Sequence, residues 1–333
     1  PQYDSLMSYI SPSSKRRILQ RFGPLGAARV TFLALAWLFI AAPTSANPLF
    51  LNGFSKNYAG LGAASGTITE LSSAEATPND VLDKLRDNFR LTYDDNPRTA
   101  AELRWFARHP DYLDRVFTRA QRYLPYIVLE LERRGMPLEL ALLPIVESAY
   151  DPFAYSHGRA AGLWQMIPGT ARRFGIKQNW WYDGRRDVVD STRAALDYLQ
   201  YLVGLNDGDW LNAIASYNSG EGNVLRAARK NRKANKPTDF WNLRLPRETS
   251  MYVPKLLALV EIVSDPGKYN LKLPVVTDEP QFIVAEIGSQ LDLALAAELA
   301  GVDVDTVYQY NPGYNRWSTD PAGPHKLVMP IDV

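Results

Sequence analysis

LPIVESAYDP, residues 143–152, ends an apolar run with a single carboxylate, that of Glu147. The Asp-Pro pair that closes the stretch is typical of a turn. A glutamate in this setting has two interpretations. It is a solvated residue at a helix end, where glutamate is usually found, or it is an acid kept partly dry so that it holds a proton near neutral pH.

The composition excludes several classes of site. The chain has 333 residues, of which 46% are hydrophobic and 22% charged, enough for one sizeable core and a smaller unit. The formal net charge of +1 gives no electrostatic reason to bind nucleic acid. Cysteine is absent, so disulfides and thiol nucleophiles are excluded, and with only 3 histidines we expect neither a metal nor another cofactor.

The first 46 residues have the pattern of a targeting segment. Basic residues at positions 15–21 precede an apolar stretch, VTFLALAWLFIAA, and the small residues of TSA end at Ala46. This pattern predicts a signal peptide cleaved after Ala46, with an uncleaved N-terminal anchor as the alternative. Residues 47–80 are rich in Ser, Ala, Gly and Asn and predict a flexible linker.

Apolar residues spaced three and four apart predict an all-helical domain over residues 81–274. Pro125 is expected to divide one long helical stretch into two helices, and Pro144 to kink a helix over residues 137–150 just before Glu147. Further helices are predicted at Pro168–Phe174, Asp190–Val203, Asp209–Tyr217, Asn223–Arg232 and Glu248–Val263.

The last part of the chain, residues 275–333, has a different pattern. QFIVAEIG and HKLVMP predict short strands, and LALAAELAG and VDTVYQYN predict two short helices between them. The order strand–helix–helix–strand resembles a degenerate LysM module, which implies glycan binding. The alternative is that this unit only packs against the helical domain.

Seven blocks follow one another in the helical region: ELALLPIVESAYDPFAYS, GRAAGLWQMIPGTARRFG, WWYDGRRDV, ALDYLQYL, GDWLNAIASYNSGEGNV, KPTDFW and ETSMYVPKLLAL. In this order they resemble the lytic transglycosylase family over roughly half the chain. The resemblance implies a lysozyme-like helical catalytic domain. It also implies cleavage of peptidoglycan between N-acetylmuramic acid and N-acetylglucosamine with formation of a 1,6-anhydro sugar, in the periplasm of a Gram-negative bacterium.

The same resemblance assigns roles to individual residues. The catalytic glutamate of the ES motif falls on Glu147. Substrate-binding roles fall on Ser148, Gln165, Tyr217, Asn218 and Tyr252. The partner is then peptidoglycan glycan strands, with membrane association if the N-terminal segment is retained, and we expect a monomer.

One carboxylate is sufficient for this chemistry. Most glycosidases use two, but the substrate's own N-acetyl group can replace the enzyme nucleophile. Glu147 would donate a proton to the leaving oxygen and then accept one from the muramyl O6, which requires a raised pKa. Aromatic walls for the sugar are expected from Trp164, Tyr217 and residues 180–182.

Two other functions remain open at this point. A muramidase would use water as the nucleophile and a second carboxylate to position it, and the sequence alone identifies no such acid. A non-catalytic peptidoglycan-binding protein would keep the cleft without needing its acid. Individual residues also have plain structural interpretations: Gln165 could bond backbone before Pro168, and Trp180 and Trp181 fit a core as well as a cleft.

Overall fold

The computed structural model describes residues 79–91 and 96–331. The predicted signal peptide or anchor, and nearly all of the predicted linker, lie outside these residues. Within them, helices extend from Val81 to Ser264, and a two-stranded sheet with two helices follows. The predicted fold class, mainly α with a small α+β module, is confirmed.

The elements of the described chain are α1 (Val81–Asn88), α2 (Pro97–Ala107), α3 (Pro110–Ala120), α4 (Leu124–Arg133), a 3-10 helix (Leu138–Leu142), α5 (Leu143–Ser148), α6 (Pro168–Arg173), α7 (Val188–Leu205), α8 (Trp210–Ser219), α9 (Glu221–Lys233), a 3-10 helix (Phe240–Asn242), α10 (Arg247–Ser264), a 3-10 helix (Gly267–Tyr269), β1 (Phe282–Glu286), α11 (Leu293–Ala300), α12 (Val304–Tyr310) and β2 (Lys326–Pro330). The helices predicted after residue 160 are all present, with ends shifted by at most two residues. No helix in the described ranges has both the length and the apolar character needed to cross a bilayer.

Two prolines set the helix boundaries in front of the acid. Pro125 lies in the first turn of α4 and separates it from α3, as predicted. The single kinked helix predicted over residues 137–150 is wrong, because a 3-10 helix ends at Leu142 and a new helix, α5, begins at Leu143. Pro144 lies in the first turn of α5, where a missing backbone N–H costs nothing, so the proline begins a helix instead of bending one.

Helix α10 lies at the centre of the core and contains Pro254 in its interior. A proline at this position leaves the carbonyl of Ser250, four residues earlier, without its helical donor. Arg98 of α2 compensates, because its guanidinium donates to that carbonyl at 3.2 Å. The interior proline is therefore tolerated, and α2 is held against α10 near the residues that form the cleft.

The C-terminal module packs directly on the helical domain. Its strands pair antiparallel, with Phe282 opposite Pro330. Phe282 packs against Tyr126 of α4 with ring centroids 5.2 Å apart, and Tyr182 of the helical domain is fully buried in the module's own apolar cluster beside Tyr314. Glycan binding and packing against the helical domain were the two interpretations of this unit, and the structure directly displays the packing.

Candidate active site

Glu147 lies in the last turn of the short helix α5, which ends abruptly. Ala149 and Tyr150 both adopt positive φ angles, 52° and 57°, so the chain turns sharply after Ser148. The buried Tyr150 hydroxyl donates to the carbonyl of Ala141 at 2.6 Å and holds this turn against the preceding 3-10 helix. The side chain of Glu147 is thereby directed into a cleft while its backbone remains packed in the core.

The cleft has a volume of about 780 Å³, within the usual range for ligand cavities. Its walls come from α2, from α5 through α10 and from residues 154–167, which we call the wall loop. The predicted site residues that line it are Glu147, Gln165, Tyr217, Asn218 and Tyr252.

The carboxyl group of Glu147 is half-buried and accepts a hydrogen bond from the Tyr252 hydroxyl at 2.5 Å. Burial raises the pKa of Glu147 to about 7, because the charged form loses hydration. The Tyr252 hydrogen bond opposes this rise, the nearby negative charge of Glu248 adds to it, and the positive charge of Lys255 opposes it. The acid is therefore able to exist in both protonation states near neutral pH.

Tyr217 and Asn218 reach the cleft from the end of α8. The Tyr217 hydroxyl donates to the backbone carbonyl of Trp164 at 2.8 Å, which joins α8 to the wall loop. The Asn218 side-chain oxygen accepts from the Thr249 hydroxyl of α10 at 2.9 Å. Burial raises the pKa of Tyr217 well above its ordinary value, so its hydroxyl stays neutral and able to donate.

Ser148 and Gln165 both bond to backbone. The Ser148 hydroxyl donates to the carbonyls of Pro144 at 3.2 Å and Leu163 at 2.9 Å, tying α5 to the wall loop, and Ser148 does not line the cleft. The Gln165 amide donates to the carbonyls of Ala154 and Gly162 at 3.1 and 3.0 Å, while its side chain faces the cleft. Direct contact of either residue with a sugar remains a prediction.

The aromatic walls differ from those predicted. Trp164 is fully buried, and its indole N–H donates to the Thr192 hydroxyl at 3.0 Å, so it belongs to the core. Tyr182 is also fully buried, in the apolar cluster that it forms with the C-terminal module. Trp180 is exposed but does not line the cleft. Large aromatic side chains pack well in either setting, which is why sequence alone misplaced these residues.

The cleft also contains charged and aromatic residues that were not predicted from the sequence: Glu102, Tyr198, Glu221, Glu248 and Lys255. Glu248, Tyr252 and Lys255 are spaced four and three residues apart and share one face of α10, so helical spacing could have revealed them. Glu221 is already engaged, with Arg173 at 3.0 Å and the Tyr198 hydroxyl at 3.1 Å. In residues 79–91 and 96–331, no three or more His, Asp and Glu side chains group in a way that could hold a metal ion.

Known proteins resemble the chain along most of its described length. Residues 126–240 match the family model of the transglycosylase SLT domain, and residues 281–333 match the LysM-like domain of lytic transglycosylase MltD. Membrane-bound lytic murein transglycosylase D of Escherichia coli K12 is 40% identical over 255 residues, covering 77% of this chain and 56% of that protein.

Two other matches are more partial. A putative tributyltin chloride resistance protein of an Alteromonas species is 52% identical over 125 residues, covering 36% of this chain and 60% of that protein. The crystal structure of the 70 kDa soluble lytic transglycosylase of Escherichia coli aligns with a TM-score of 0.36 and 20% identity, covering 51% of this chain and 31% of that one. The chain thus spans less than two thirds of the curated relatives it matches.

The two domain matches follow one another in the order seen in the structure, the helical domain first and the small α+β module second. The SLT match begins at the start of α4 and includes α5, the wall loop and α8, which together supply most of the cleft. The chain thus carries a transglycosylase SLT domain followed by a LysM-like domain of the kind described for lytic transglycosylase MltD.

Proposed function

We propose that this protein is a peptidoglycan lytic transglycosylase. It cleaves the β-1,4 bond between N-acetylmuramic acid and N-acetylglucosamine without water and leaves 1,6-anhydro ends, acting as a monomer in the periplasm of a Gram-negative bacterium. The observation that carries the proposal is the half-buried Glu147, which lines the cleft with a pKa near 7 and a hydrogen bond from Tyr252. The name of the Escherichia coli relative and this chain's match to the transglycosylase SLT domain support the same substrate class.

In the first step Glu147 acts as the general acid. The Tyr252 hydroxyl bonds one carboxyl oxygen, Oε1, so the proton to be delivered resides on the other, Oε2. That proton passes to the glycosidic oxygen as the bond to the anomeric carbon breaks, and the N-acetyl carbonyl oxygen of the same sugar forms a bond to that carbon. The substrate thus supplies the nucleophile, and the charge on the leaving oxygen is neutralised by Glu147.

In the second step Glu147, now a carboxylate, acts as the general base. It accepts the proton of the muramyl O6 hydroxyl, and O6 attacks the anomeric carbon and releases the N-acetyl oxygen. The carboxyl group is protonated again and no water is consumed. A pKa near 7 suits both steps, because neither protonation state is strongly disfavoured at neutral pH.

A muramidase is the second candidate, and one observation favours it. Glu102 and Glu248 also line the cleft, so the second carboxylate that a hydrolytic mechanism needs is available after all. Glu248 is solvent-exposed on α10, one turn of helix before Tyr252. Glu102 is half-buried, but in the described residues neither carboxylate is fixed by a hydrogen bond or an ion pair, so nothing holds either one in place to position a single water at the anomeric carbon. We therefore favour the transglycosylase.

Product analysis distinguishes the two. Purified sacculi are digested with the protein, and the released muropeptides are read by mass spectrometry. The transglycosylase yields 1,6-anhydro ends, which lack the mass of one water relative to the reducing ends that a muramidase yields. A folded protein that binds sacculi but releases neither product would be a binding protein, and the proposal would be wrong.

The pH dependence of the reaction should follow the partners of Glu147. The alkaline limb of kcat/KM reports the acid that must be protonated in the free enzyme. Tyr252→Phe removes a donor that stabilises the carboxylate, so the pKa of Glu147 rises and we expect the alkaline limb to move to higher pH. Glu248→Gln is the matched control. It removes a negative charge near Glu147 and so lowers the pKa of Glu147, which should move the alkaline limb to lower pH. Shifts of both variants in one direction would contradict this assignment.

A further inference from the structure

The wall loop carries an unusual backbone. Arg159, Gly162 and Gln165 have positive φ angles of 64°, 80° and 44° within seven residues. Such conformations are costly for residues other than glycine and persist only where their surroundings hold them in place. Since Gln165 faces the cleft, the shape of the cleft depends on whatever holds this loop.

Arg185 lies behind the wall loop and bonds to it at two points, one inside the loop and one near its end. One guanidinium nitrogen, Nη1, donates to the carbonyls of Arg159 at 2.6 Å and Met166 at 3.3 Å. The main chain of Arg185 is equally close, because a Cβ placed on Gly162 would lie 1.9 Å from the Arg185 carbonyl oxygen. Arg185 is 5% exposed, so this contact is made inside the protein, away from water.

Asp183 fixes the guanidinium from the other side. Its two carboxylate oxygens accept from Nε and Nη2 of Arg185 at 2.9 and 2.6 Å, in the two-pronged arrangement that orients a guanidinium most firmly. The remaining nitrogen, Nη1, is therefore directed at the wall loop. Buried arginine in this geometry is held by shape as well as by charge.

The segment that carries both residues is held in turn by the C-terminal module. The backbone N–H of Asp183 donates to the carbonyl of Gly313 at 2.8 Å. Lys177 and Asn179 both contact the buried carboxylate of Asp320, at 2.8 and 2.6 Å. Residues 177–187, which we call the support loop, thus lie between the module and the wall loop and bond to both.

From these contacts we infer that Arg185 is a positioning residue, through which the LysM-like module holds the wall of the glycan-binding cleft in shape. The module is then a fixed part of the cleft's support and not only a separate attachment. Loosening the module should weaken glycan binding even though no module residue lines the described cleft. The choice of a glycan as the ligand rests on the proposed function, whereas the contacts between the module, Arg185 and the wall loop do not depend on it.

The test measures binding without turnover. All proteins carry Glu147→Gln, and the dissociation constant for soluble, uncross-linked peptidoglycan glycan strands is measured by calorimetry. Arg185→Ala should raise this dissociation constant at least about tenfold, since losing one or two hydrogen bonds to the bound sugar weakens binding by about that factor. Arg185→Lys should not restore binding, because lysine keeps the positive charge but lacks the planar, two-pronged guanidinium. Arg134→Ala removes a comparable arginine, paired with Asp197 at 2.7 Å, and should leave it unchanged.

A second variant tests the module from a distance. A Cβ on Gly313 would lie 2.8 Å from the ring of Tyr182, so Gly313→Ala should push the module away from the support loop. We expect the dissociation constant to rise at least about threefold, the effect of weakening a single hydrogen bond to the sugar. Gly267→Ala, where a Cβ meets nothing closer than 3.5 Å, is the control. Circular dichroism and thermal unfolding establish that each variant is folded. An unchanged constant in folded Arg185→Ala or Gly313→Ala, or restored binding in Arg185→Lys, overturns the inference. If neither the unsubstituted protein nor the parent with Glu147→Gln binds glycan strands, the proposed function fails instead.

Discussion

Glu147→Gln should lower the rate of glycan cleavage by at least about a thousandfold, because one side chain supplies both the acid and the base, and each role contributes roughly a hundredfold or more. The amide has nearly the same shape as the acid and still accepts a hydrogen bond from Tyr252, so the cleft should remain assembled. Binding of glycan strands should therefore survive. The measurement is the initial rate of muropeptide release from sacculi, together with a pull-down of the protein on the same sacculi.

The control is Glu132→Gln on α4, a glutamate 3.7 Å from Lys84 and outside the cleft, which should keep the parent rate. Substantial cleavage by folded Glu147→Gln would transfer the acid role to another cleft carboxylate, with Glu248 and Glu102 the first to replace. Loss of both cleavage and binding would instead indicate that the substitution had disturbed the cleft.

Glu147 should also leave a signature on stability. The folded state raises its pKa from 4.5 to about 7, so the folded protein holds this proton more tightly than the unfolded chain does. Below pH 4.5 Glu147 is protonated in both the folded and the unfolded state, and its burial does not lower the stability of the fold. As the pH rises from 4.5 to 7 the folded state is increasingly destabilised relative to the unfolded chain, and above pH 7 this destabilisation reaches its full value. Glu147→Gln should therefore unfold like the parent at pH 4 and be about 1–3 kcal/mol more stable at pH 8. Equal stability at both values would show that the acid is not kept dry.

Local patterns in the sequence accounted for most helices but not for how they join. Apolar spacing located α7 through α10 to within one or two residues, because each has apolar side chains three and four positions apart that pack into the core. It could not tell whether Pro144 bends a helix or begins one. That difference depends on whether residues 138–142 adopt a 3-10 or an α conformation, which is decided by packing of the fully buried Leu140 and Leu142.

The sequence predicts a site residue well where the chemistry permits only one residue type at that position. It predicts poorly where the same residue type is suitable both for a cleft and for a core. A lone acid beside Ile145 and Val146 predicts a raised pKa, and the structure agrees. A tryptophan, in contrast, suits a cleft and a core alike. Trp164 is core because Thr192, 28 positions later, offers its indole a partner, and no local pattern contains that information. Cleft charges such as Glu102 depend on tertiary packing in the same way.

The wall loop leads to the second large expected effect. Gly162 combines a φ angle of +80° with a position where a Cβ would lie 1.9 Å from the Arg185 carbonyl oxygen. The conformation alone should cost Gly162→Ala about 1–2 kcal/mol. The contact adds to this, because the neighbouring atom is backbone and cannot rotate away. We expect a total loss of at least about 4 kcal/mol in the free energy of unfolding, in the range that marks a severe local conflict.

Gly135→Ala separates the two contributions. Gly135 has a similar φ angle of +63°, but a Cβ there would meet nothing within 4 Å, so this variant should lose only the conformational part. Urea unfolding of both variants, followed by circular dichroism, gives the difference directly. A larger loss in Gly162→Ala establishes that the wall loop and the support loop are in close backbone contact. Equal losses would mean that the two loops separate at little cost, and a wall so easily displaced could not hold Gln165 in the cleft.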